Sequence, residues 1–275
     1  MKVELLTSIP DQISEEELKS HRKTKWIGQE IFYLKEIDST NNKIKSLADE
    51  GAGNGTLVIA EGQTAGRGRR GRSWESPKGS SVYMSLLLRP QIRPDNASMI
   101  TLISALAVAK AVSKLTKRAA GIKWPNDIVM NGKKICGILT EMSLCLMEID
   151  HIVVGIGINV HTESFPEEIS NVATSLFLET GEHYKRTELI AAVWEAFEHY
   201  YEIYLQTEDL SRLVEEYNAS LANLNQMVRV LDPNEPFEGK AMGITERGEL
   251  IVDTAEGRKL VSSGEVSVRG IYGYV

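Results

Sequence analysis

The chain has 275 residues, 42 % hydrophobic and 25 % charged, which is the balance of an ordinary globular protein of about two domains. With 31 Lys and Arg against 38 Asp and Glu, its net charge of -7 excludes general binding of nucleic acid or acidic membranes by the whole surface. The longest apolar stretch, residues 99–112, is too short to span a membrane, and the opening residues form no secretory signal. Cys136 and Cys145 lack the neighbours of a metal site, so we predict a cytoplasmic protein with free thiols and no membrane association.

Residues 1–30 are polar and mixed, and they predict a linker or docking arm with one short helix capped by Ser14. The main domain begins at Ile31 with an apolar strand, after which the polar residues 38–41 cap a helix that ends at Gly51. The remaining predicted elements of this domain are strands at residues 56–60 and 81–88, a helix at 96–115, strands at 127–130, 134–142 and 152–160, and helices at 187–204 and 210–224.

A change of pattern after these helices predicts a small C-terminal domain over residues 225–275. Short apolar strands beginning at Met227, Gly239, Glu249 and Lys259 are separated by glycine turns, which is typical of an antiparallel barrel. A unit of about fifty residues is only marginally stable alone, so we expect it to pack on the main domain.

Residues 66–74, Gly-Arg-Gly-Arg-Arg-Gly-Arg-Ser-Trp, are the most unusual segment of the chain. Their spacing matches G-x-G-x-x-G, but a dinucleotide site needs a helix at the glycines and an acidic residue on the next strand, and neither is present. Glycines let the backbone close over a ligand, while guanidiniums offer paired donors to carboxylate or phosphate oxygens. The segment therefore favours an anion-binding loop, with a solvated basic loop or a nucleic-acid patch as the alternatives.

Three further segments point to the same cleft. Lys123-Trp-Pro-Asn-Asp places a cation, an indole and two polar groups at a strand end, although a turn with a packed tryptophan has the same pattern. Lys134 begins an apolar strand, where its ammonium either enters the cleft or extends to solvent. Gly155 and Gly157 on a buried strand indicate close approach of a ligand or tight sheet packing. Since no nucleophile pattern accompanies them, these segments predict a site that brings anions together.

Together these segments resemble the biotin–protein ligase family, in the same chain order. The residues that carry the resemblance are Glu36-Ile-Asp-Ser-Thr-Asn, the run from Gln63 to Trp74, Lys123-Trp-Pro-Asn-Asp, Lys134 with Gly137-Ile-Leu-Thr-Glu, and Gly155-Ile-Gly-Ile-Asn. The resemblance covers Ile31 to the C-terminus and implies an α+β fold. Its catalytic domain, here residues 31–224, has a mixed sheet flanked by helices, as in class II aminoacyl-tRNA synthetases, and the C-terminal domain is an SH3-like barrel.

The family's activity has two steps: ATP converts biotin to biotinoyl-5'-AMP, and the biotinoyl group then passes to one lysine of a biotin carboxyl carrier protein. The resemblance implies that the biotin-binding residues are Ser39, Thr40, Asn41, Gln63, Arg67, Gly68, Arg69, Lys134 and Gly137. It implies that the ATP-binding residues are Arg70, Arg72, Trp74, Lys123, Asn126 and Asn159, with Trp74 covering the adenine. Lys134 and Arg69 would stabilise the charges where the two substrates meet, helped by Mg²⁺ that the phosphates hold without a dedicated protein metal site.

Two expectations concern loop motion and proton transfer. Because the mixed anhydride hydrolyses in open water, we expect the glycine-rich loop to be disordered or extended until ligand binds. Asp127 is the third catalytic candidate, as the group that orients or deprotonates the acceptor lysine, with a turn-stabilising carboxylate as the alternative. If Asp127 is the base, Asp127→Asn slows transfer from preformed biotinoyl-AMP.

Many bacterial members of the family add an N-terminal winged helix-turn-helix and act as repressors. Too few residues precede Ile31 for that domain, and residues 2–10 resemble only its last strand and linker, so we expect no specific DNA binding. Members often dimerise through sheet edges, which allows a homodimer here. The alternative functions are a lipoate or octanoate ligase on the same fold, which the arginine–glycine loop and Gln63 disfavour, and a non-catalytic biotin-sensing repressor fragment.

Overall fold

The computed structural model describes residues 11–232, 235–264, 267–271 and 273–275, and within them it forms two β-sheets. The strands of the larger sheet are β1 (Ile31–Leu34), β2 (Leu57–Ala60), β3 (Ser81–Leu88), β4 (Gly121–Lys123), β5 (Asp127–Met130), β6 (Lys133–Cys145) and β7 (Glu148–Asn159). They follow the order β1-β2-β3-β7-β6-β5-β4, with β1 and β2 parallel and the other pairs antiparallel. The sheet is therefore mixed, as predicted.

Helices cover both faces of this sheet because inward and outward side chains alternate along its buried strands. The helices are α1 (Glu15–His21), α2 (Thr40–Asp49), α3 (Ser98–Thr116), α4 (Leu176–Thr180), α5 (Arg186–Tyr204) and α6 (Val214–Ser220). In β2, Leu57 and Ile59 belong to the main core with α3 and α5, whereas Val58 packs with α2 in a smaller core on the other face.

The long central helix matches its prediction closely. Residues 94–116 are long and apolar enough to cross a membrane, but 72% of the most apolar window is buried inside the fold. α3 packs against α5 and the sheet, and such all-round burial is typical of a core helix.

Residues 11–30, predicted as a linker or arm, are docked on the main core. Ser14 caps α1 as expected, since its hydroxyl accepts a hydrogen bond from the Glu17 N–H at 3.2 Å. Leu18 and Ile27 are buried, and α1 contacts α5. This segment is therefore a docked arm, because its apolar side chains pack against the catalytic domain. The predicted wing-like residues 2–10 lie outside the described residues.

The C-terminal domain is an antiparallel sheet consistent with an SH3-like barrel. Its strands are β8 (Met227–Leu231), β9 (Phe237–Ile244), β10 (Leu250–Thr254), β11 (Gly257–Val261) and β12 (Ser267–Gly270), in the order β11-β10-β9-β8-β12. It packs on the main domain as expected: the buried Trp124 indole donates a hydrogen bond to the Gly248 carbonyl at 3.1 Å. Trp124 is thus an interdomain packing residue, the simpler of its two interpretations.

Three local features differ from the predictions. The short elements β4, α4 and β12 are missed, because three to five residues are too few to establish a period. The predicted helix at residues 210–224 shortens to α6. The β6–β7 hairpin is longer than predicted and ends in a turn at the exposed Leu146 and Met147.

Candidate active site

Two adjoining cavities open where the loop of residues 66–74 lies over β5, β6 and β7. Residues that line only the first cavity include Ser39, Thr40, Asn41, Gln63, Arg67, Gly137, Leu139, Gly155 and Gly157. Those that line only the second include Arg70, Arg72, Lys123, Asp127, Arg269 and Tyr274. Gly68, Arg69, Trp74, Asn126 and Lys134 line both. The two cavities therefore meet at one cationic junction.

The first cavity has a preorganised set of polar groups at the start of α2. Gln63 accepts hydrogen bonds from the Thr40 N–H at 2.9 Å and the Thr40 hydroxyl at 3.2 Å. The Ser85 hydroxyl on β3 donates to the Asn41 side-chain oxygen at 2.6 Å and lies 2.8 Å from the Thr40 hydroxyl, while the Asn41 amide donates to Glu141 at 2.8 Å. Ser39 is buried and makes no capping bond with its side chain. These groups can present fixed donors and acceptors to a polar ring.

Two glycines on the sheet make room for the Trp74 indole. Gly137 on β6 and Gly157 on β7 are register partners, and the Trp74 indole lies across both. A Cβ on Gly157 would lie 2.6 Å from the Trp74 ring nitrogen, so any side chain there would displace the indole. Within the described part of the chain, the buried Trp74 N–H has no hydrogen-bond partner, which leaves it available to a ligand.

The glycine-rich loop is folded rather than disordered or extended, which corrects the expectation for this segment. The Gly68 N–H donates to the Arg72 carbonyl at 2.7 Å, and the Trp74 N–H donates to the Gly66 carbonyl at 2.9 Å. Between them, Arg70 takes a left-handed conformation at φ 59° within a short turn. These backbone bonds hold the loop as a small hairpin over the cavities.

Arg67 and Arg69 anchor this loop at opposite ends of the site. Arg67 pairs with Glu141 at 3.3 Å, next to the Asn41 amide. Arg69 donates to the Asn126 side-chain oxygen at 2.8 Å and to the carbonyls of Ser263 and Gly264 at 2.7 Å each. Arg69 therefore connects the loop to both the catalytic and the C-terminal domain.

The second cavity contains a buried carboxylate between two ammonium groups. Asp127 Oδ1 lies 2.6 Å from Lys134 Nζ, and Asp127 Oδ2 lies 4.0 Å from Lys123 Nζ and accepts a hydrogen bond from Tyr274 at 2.5 Å. Burial alone would raise the pKa of Asp127, but the two lysines and these hydrogen bonds outweigh it and lower the pKa below its ordinary value. With both oxygens engaged and a low proton affinity, Asp127 is poorly suited to act as a base. Its geometry favours holding Lys134.

Lys123 is the most deeply buried cation of the second cavity. Its burial lowers the pKa of the ammonium from 10.5 to about 8, a shift that Asp127 opposes and Lys134 reinforces. An anionic group bound beside Lys123 would stabilise its ammonium form, so Lys123 is suited to bind such a group.

The structure brings together all nine residues of the predicted biotin set and five of the six residues of the predicted nucleotide set. Asn159 is the exception: it lies at the end of β7, lines neither cavity, and donates to the Thr174 carbonyl at 3.0 Å. Its amide serves a loop that also bonds the Lys134 backbone. Sequence reasoning missed Ser85, Arg269 and Tyr274, which have no motif around them and reach the site only through sheet pairing and the C-terminal residues. It included Glu141 as the end of the Gly137-Ile-Leu-Thr-Glu motif but gave this carboxylate no role in the site.

Two family models match the chain. Residues 33–159 match the Biotin/lipoate A/B protein ligase family, and residues 224–269 match the Biotin protein ligase C terminal domain. The two matches include the glycine-rich loop, both lysines of the second cavity and the β8–β12 sheet.

Individual relatives agree with these matches. A bifunctional ligase/repressor BirA of Bacillus spizizenii is 39% identical over 94% of this chain and 80% of its own length. A biotin–[acetyl-CoA-carboxylase] ligase of Paracoccus denitrificans is 32% identical over 86% of this chain and 100% of its own. The structure of a biotin protein ligase from Aquifex aeolicus in complex with biotin and ATP superposes with a TM-score of 0.78 at 31% identity, over 88% of this chain and 99% of that one.

Proposed function

The chain belongs to the biotin protein ligase family, and we propose that its two cavities hold biotin and ATP for the two steps of protein biotinylation. The enzyme is a ligase that activates biotin with ATP and joins it to protein. In the proposed arrangement the polar groups around Thr40, Asn41 and Gln63 bind the biotin head, and the second cavity binds the nucleotide. The observation that supports this most is the shared junction of Arg69 and Lys134.

In the first step, an oxygen of the biotin carboxylate attacks the α-phosphorus of ATP, and pyrophosphate leaves. Two anions must approach each other, so fixed cations at their meeting point lower the barrier. Lys134 and Arg69 line both cavities and so can contact the carboxylate and the phosphate together. Lys123 and Arg72 lie on the nucleotide side, where they can bind the remaining phosphates.

Mg²⁺ belongs to the same proposal as a partner of ATP. Among the described residues no group of three or more His, Cys, Asp or Glu could hold a metal ion. Asp127 is the carboxylate of the second cavity, and it is already engaged by Lys134 and Tyr274. This donor set fits an ion held mainly by phosphate oxygens and water, where it would neutralise charge on the leaving pyrophosphate.

In the second step, the acceptor lysine amine attacks the acyl carbonyl of biotinoyl-AMP, AMP leaves, and the amine loses its proton. The acceptor in this proposal is a biotin carboxyl carrier protein. Loop residues 66–74 cover the junction and exclude water from the anhydride. The depressed pKa of Asp127 supports a role for it in holding Lys134 rather than in removing that proton.

The direct test is incubation with biotin, MgATP and a carrier domain, followed by mass spectrometry of the acceptor lysine. We expect one biotinoyl group per carrier domain with the unaltered enzyme, and no transfer in the same time with the Lys134→Met or the Arg69→Ala variant. Each variant should lower biotin-dependent ATP–pyrophosphate exchange by about 10²–10³. Exchange at the unaltered rate in both variants would remove Lys134 and Arg69 from the catalytic site, whereas no exchange in the unaltered enzyme would favour a non-catalytic biotin-sensing role.

A lipoate or octanoate ligase is the rival within the same family description. The polar groups of Gln63, Thr40 and Asn41 at the first cavity favour biotin, since an aliphatic acyl chain would cover them without offering hydrogen bonds in place of water. Calorimetric titration with biotin and with lipoate distinguishes the two. Tighter binding of lipoate would reject the biotin assignment.

The remaining partner assignments are proposals of the same kind. The edges of the larger sheet are β1 and β4, which leaves a homodimer by edge pairing to be tested by light scattering. We propose that this chain binds no specific operator DNA and acts in the cytoplasm. A sequence-selective, salt-sensitive gel shift would contradict the first of these.

A further inference from the structure

The C-terminal end of the chain enters the second cavity. β12 ends at Gly270, and a Cβ on this glycine would overlap the carbonyl oxygen of Val275, so the last residues cross closely over the strand end. This crossing places Tyr274 on the wall of the cavity, beside Arg72 and Lys123. The tail thus contacts the site although 147 positions separate Tyr274 from Asp127 in the sequence.

Tyr274 makes two specific contacts in the cavity. Its hydroxyl donates to Asp127 Oδ2 at 2.5 Å, and Lys123 Nζ lies 4.3 Å from the centre of its ring. Hydrogen bonds from a hydroxyl to a carboxylate at this length are among the strong ones in proteins. Burial and the Asp127 carboxylate raise the pKa of Tyr274, so the phenol keeps its proton and remains a donor.

Through Asp127, the hydrogen bond from Tyr274 also affects the position of Lys134 at the junction of the two cavities. Its other oxygen, Oδ1, lies 2.6 Å from Lys134 Nζ, so Tyr274, Asp127 and Lys134 form one chain of contacts. Lys123 Nζ is 4.0 Å from Oδ2 and would attract that oxygen if it lost the tyrosine. A rotation of the carboxylate toward Lys123 would withdraw Oδ1 from Lys134.

We propose that Tyr274 is a positioning residue for biotin activation, whose hydroxyl fixes the Asp127 carboxylate and thereby the ammonium of Lys134 at the cavity junction. This inference rests on the proposed function. It makes the C-terminal domain part of the activation step through a residue that acts on Asp127 and not on the reacting atoms.

The test uses Tyr274→Phe, which keeps the ring beneath Lys123 and removes only the hydroxyl. In biotin-dependent ATP–pyrophosphate exchange we expect kcat to fall about tenfold, the effect of one misplaced charged group, while the KM for biotin stays within about twofold. Tyr200→Phe is the matched control, because Tyr200 also donates to a carboxylate, Glu216, at 2.8 Å but lies on α5 outside both cavities. The control should keep the kcat of the unaltered enzyme.

A double-mutant cycle with Asp127→Asn separates positioning from simple anchoring of the tail. If Tyr274 acts through Asp127, the double variant should be no slower than Asp127→Asn alone. Unchanged kcat in Tyr274→Phe, or additive losses in the cycle, would overturn the inference. All rates are measured at temperatures well below the unfolding midpoint of each variant. A lower unfolding midpoint with an unchanged kcat would show that Tyr274 only anchors the C-terminal residues. An unaltered enzyme without exchange activity would instead reject the proposed function, and this inference with it.

Discussion

Asn41 packs directly against Gly155: its side-chain oxygen occupies the space that a Cβ on Gly155 would fill. The same oxygen accepts a hydrogen bond from Ser85 at 2.6 Å, and the Asn41 amide donates to Glu141 at 2.8 Å. Three strands and the first turn of α2 thus fix one amide at the wall of the first cavity. The position of the Asn41 amide depends on the absence of a side chain at Gly155 of β7.

Gly155→Ala should therefore displace Asn41 and raise the KM for biotin by about tenfold or more, because a preorganised polar contact is lost. The measurement is steady-state biotinylation at saturating ATP. Gly53→Ala is the control, since Gly53 has open space around its Cβ position and no positive φ. An unchanged KM in Gly155→Ala would remove Asn41 from the biotin site.

Arg69→Lys should slow biotin activation and increase the escape of biotinoyl-AMP. The planar guanidinium of Arg69 donates to Asn126 and to the carbonyls of Ser263 and Gly264 at once. A lysine ammonium keeps the charge but cannot reach all three acceptors, so the loop loses its attachment to both domains. Released adenylate is measured by chromatography of the filtrate after one turnover. Arg93→Lys, at a side chain that is 70% exposed, serves as the control. Equal retention of adenylate in both variants would contradict the tethering role.

The affinity for ATP should weaken as the pH rises through about 8, the value to which burial lowers the pKa of Lys123. Above this pH the free enzyme loses the ammonium, so the nucleotide meets one positive charge fewer, and Kd should rise toward about tenfold per pH unit. Calorimetry with a non-hydrolysable ATP analogue between pH 7 and 9 measures this. Lys123→Arg keeps its charge and should flatten the rise; an equally steep rise would assign the titration elsewhere.

Arg186→Met should destabilise the fold strongly. Arg186 is 1% exposed and pairs with Asp11 at 2.8 Å and Glu61 at 2.9 Å, which connects residues before α1 to the end of β2. Removing the guanidinium leaves the buried Glu61 carboxylate and the partly buried Asp11 carboxylate without their cation, a loss of about 3–5 kcal/mol in the free energy of unfolding. Urea denaturation followed by circular dichroism measures it. The control variant Arg93→Met should change the free energy of unfolding by less than about 0.5 kcal/mol. Equal effects of Arg186→Met and Arg93→Met would show that the ion pairs of Arg186 with Asp11 and Glu61 add no net stability.

Local sequence identified most of the site because its residues are grouped in short motifs. Several site residues lie in each of three segments: the loop of residues 66–74, the segment from Lys123 to Asp127, and the glycines of β7. Asn159 shares its motif and its face of β7 with Gly155 and Gly157, yet it is the last residue of the strand, where its amide donates to the Thr174 carbonyl and lines neither cavity.

Local sequence was enough to identify the family, the mixed α+β architecture and the cationic, glycine-rich character of the site. These follow from apolar periodicity and from residues that are neighbours in the chain. The packing of the folded chain was needed to show that Arg69 joins two domains, that Tyr274 bonds Asp127, and that α1 packs on α5. Each of these contacts joins residues far apart in sequence, and their energies depend on burial and distance, which no local pattern encodes.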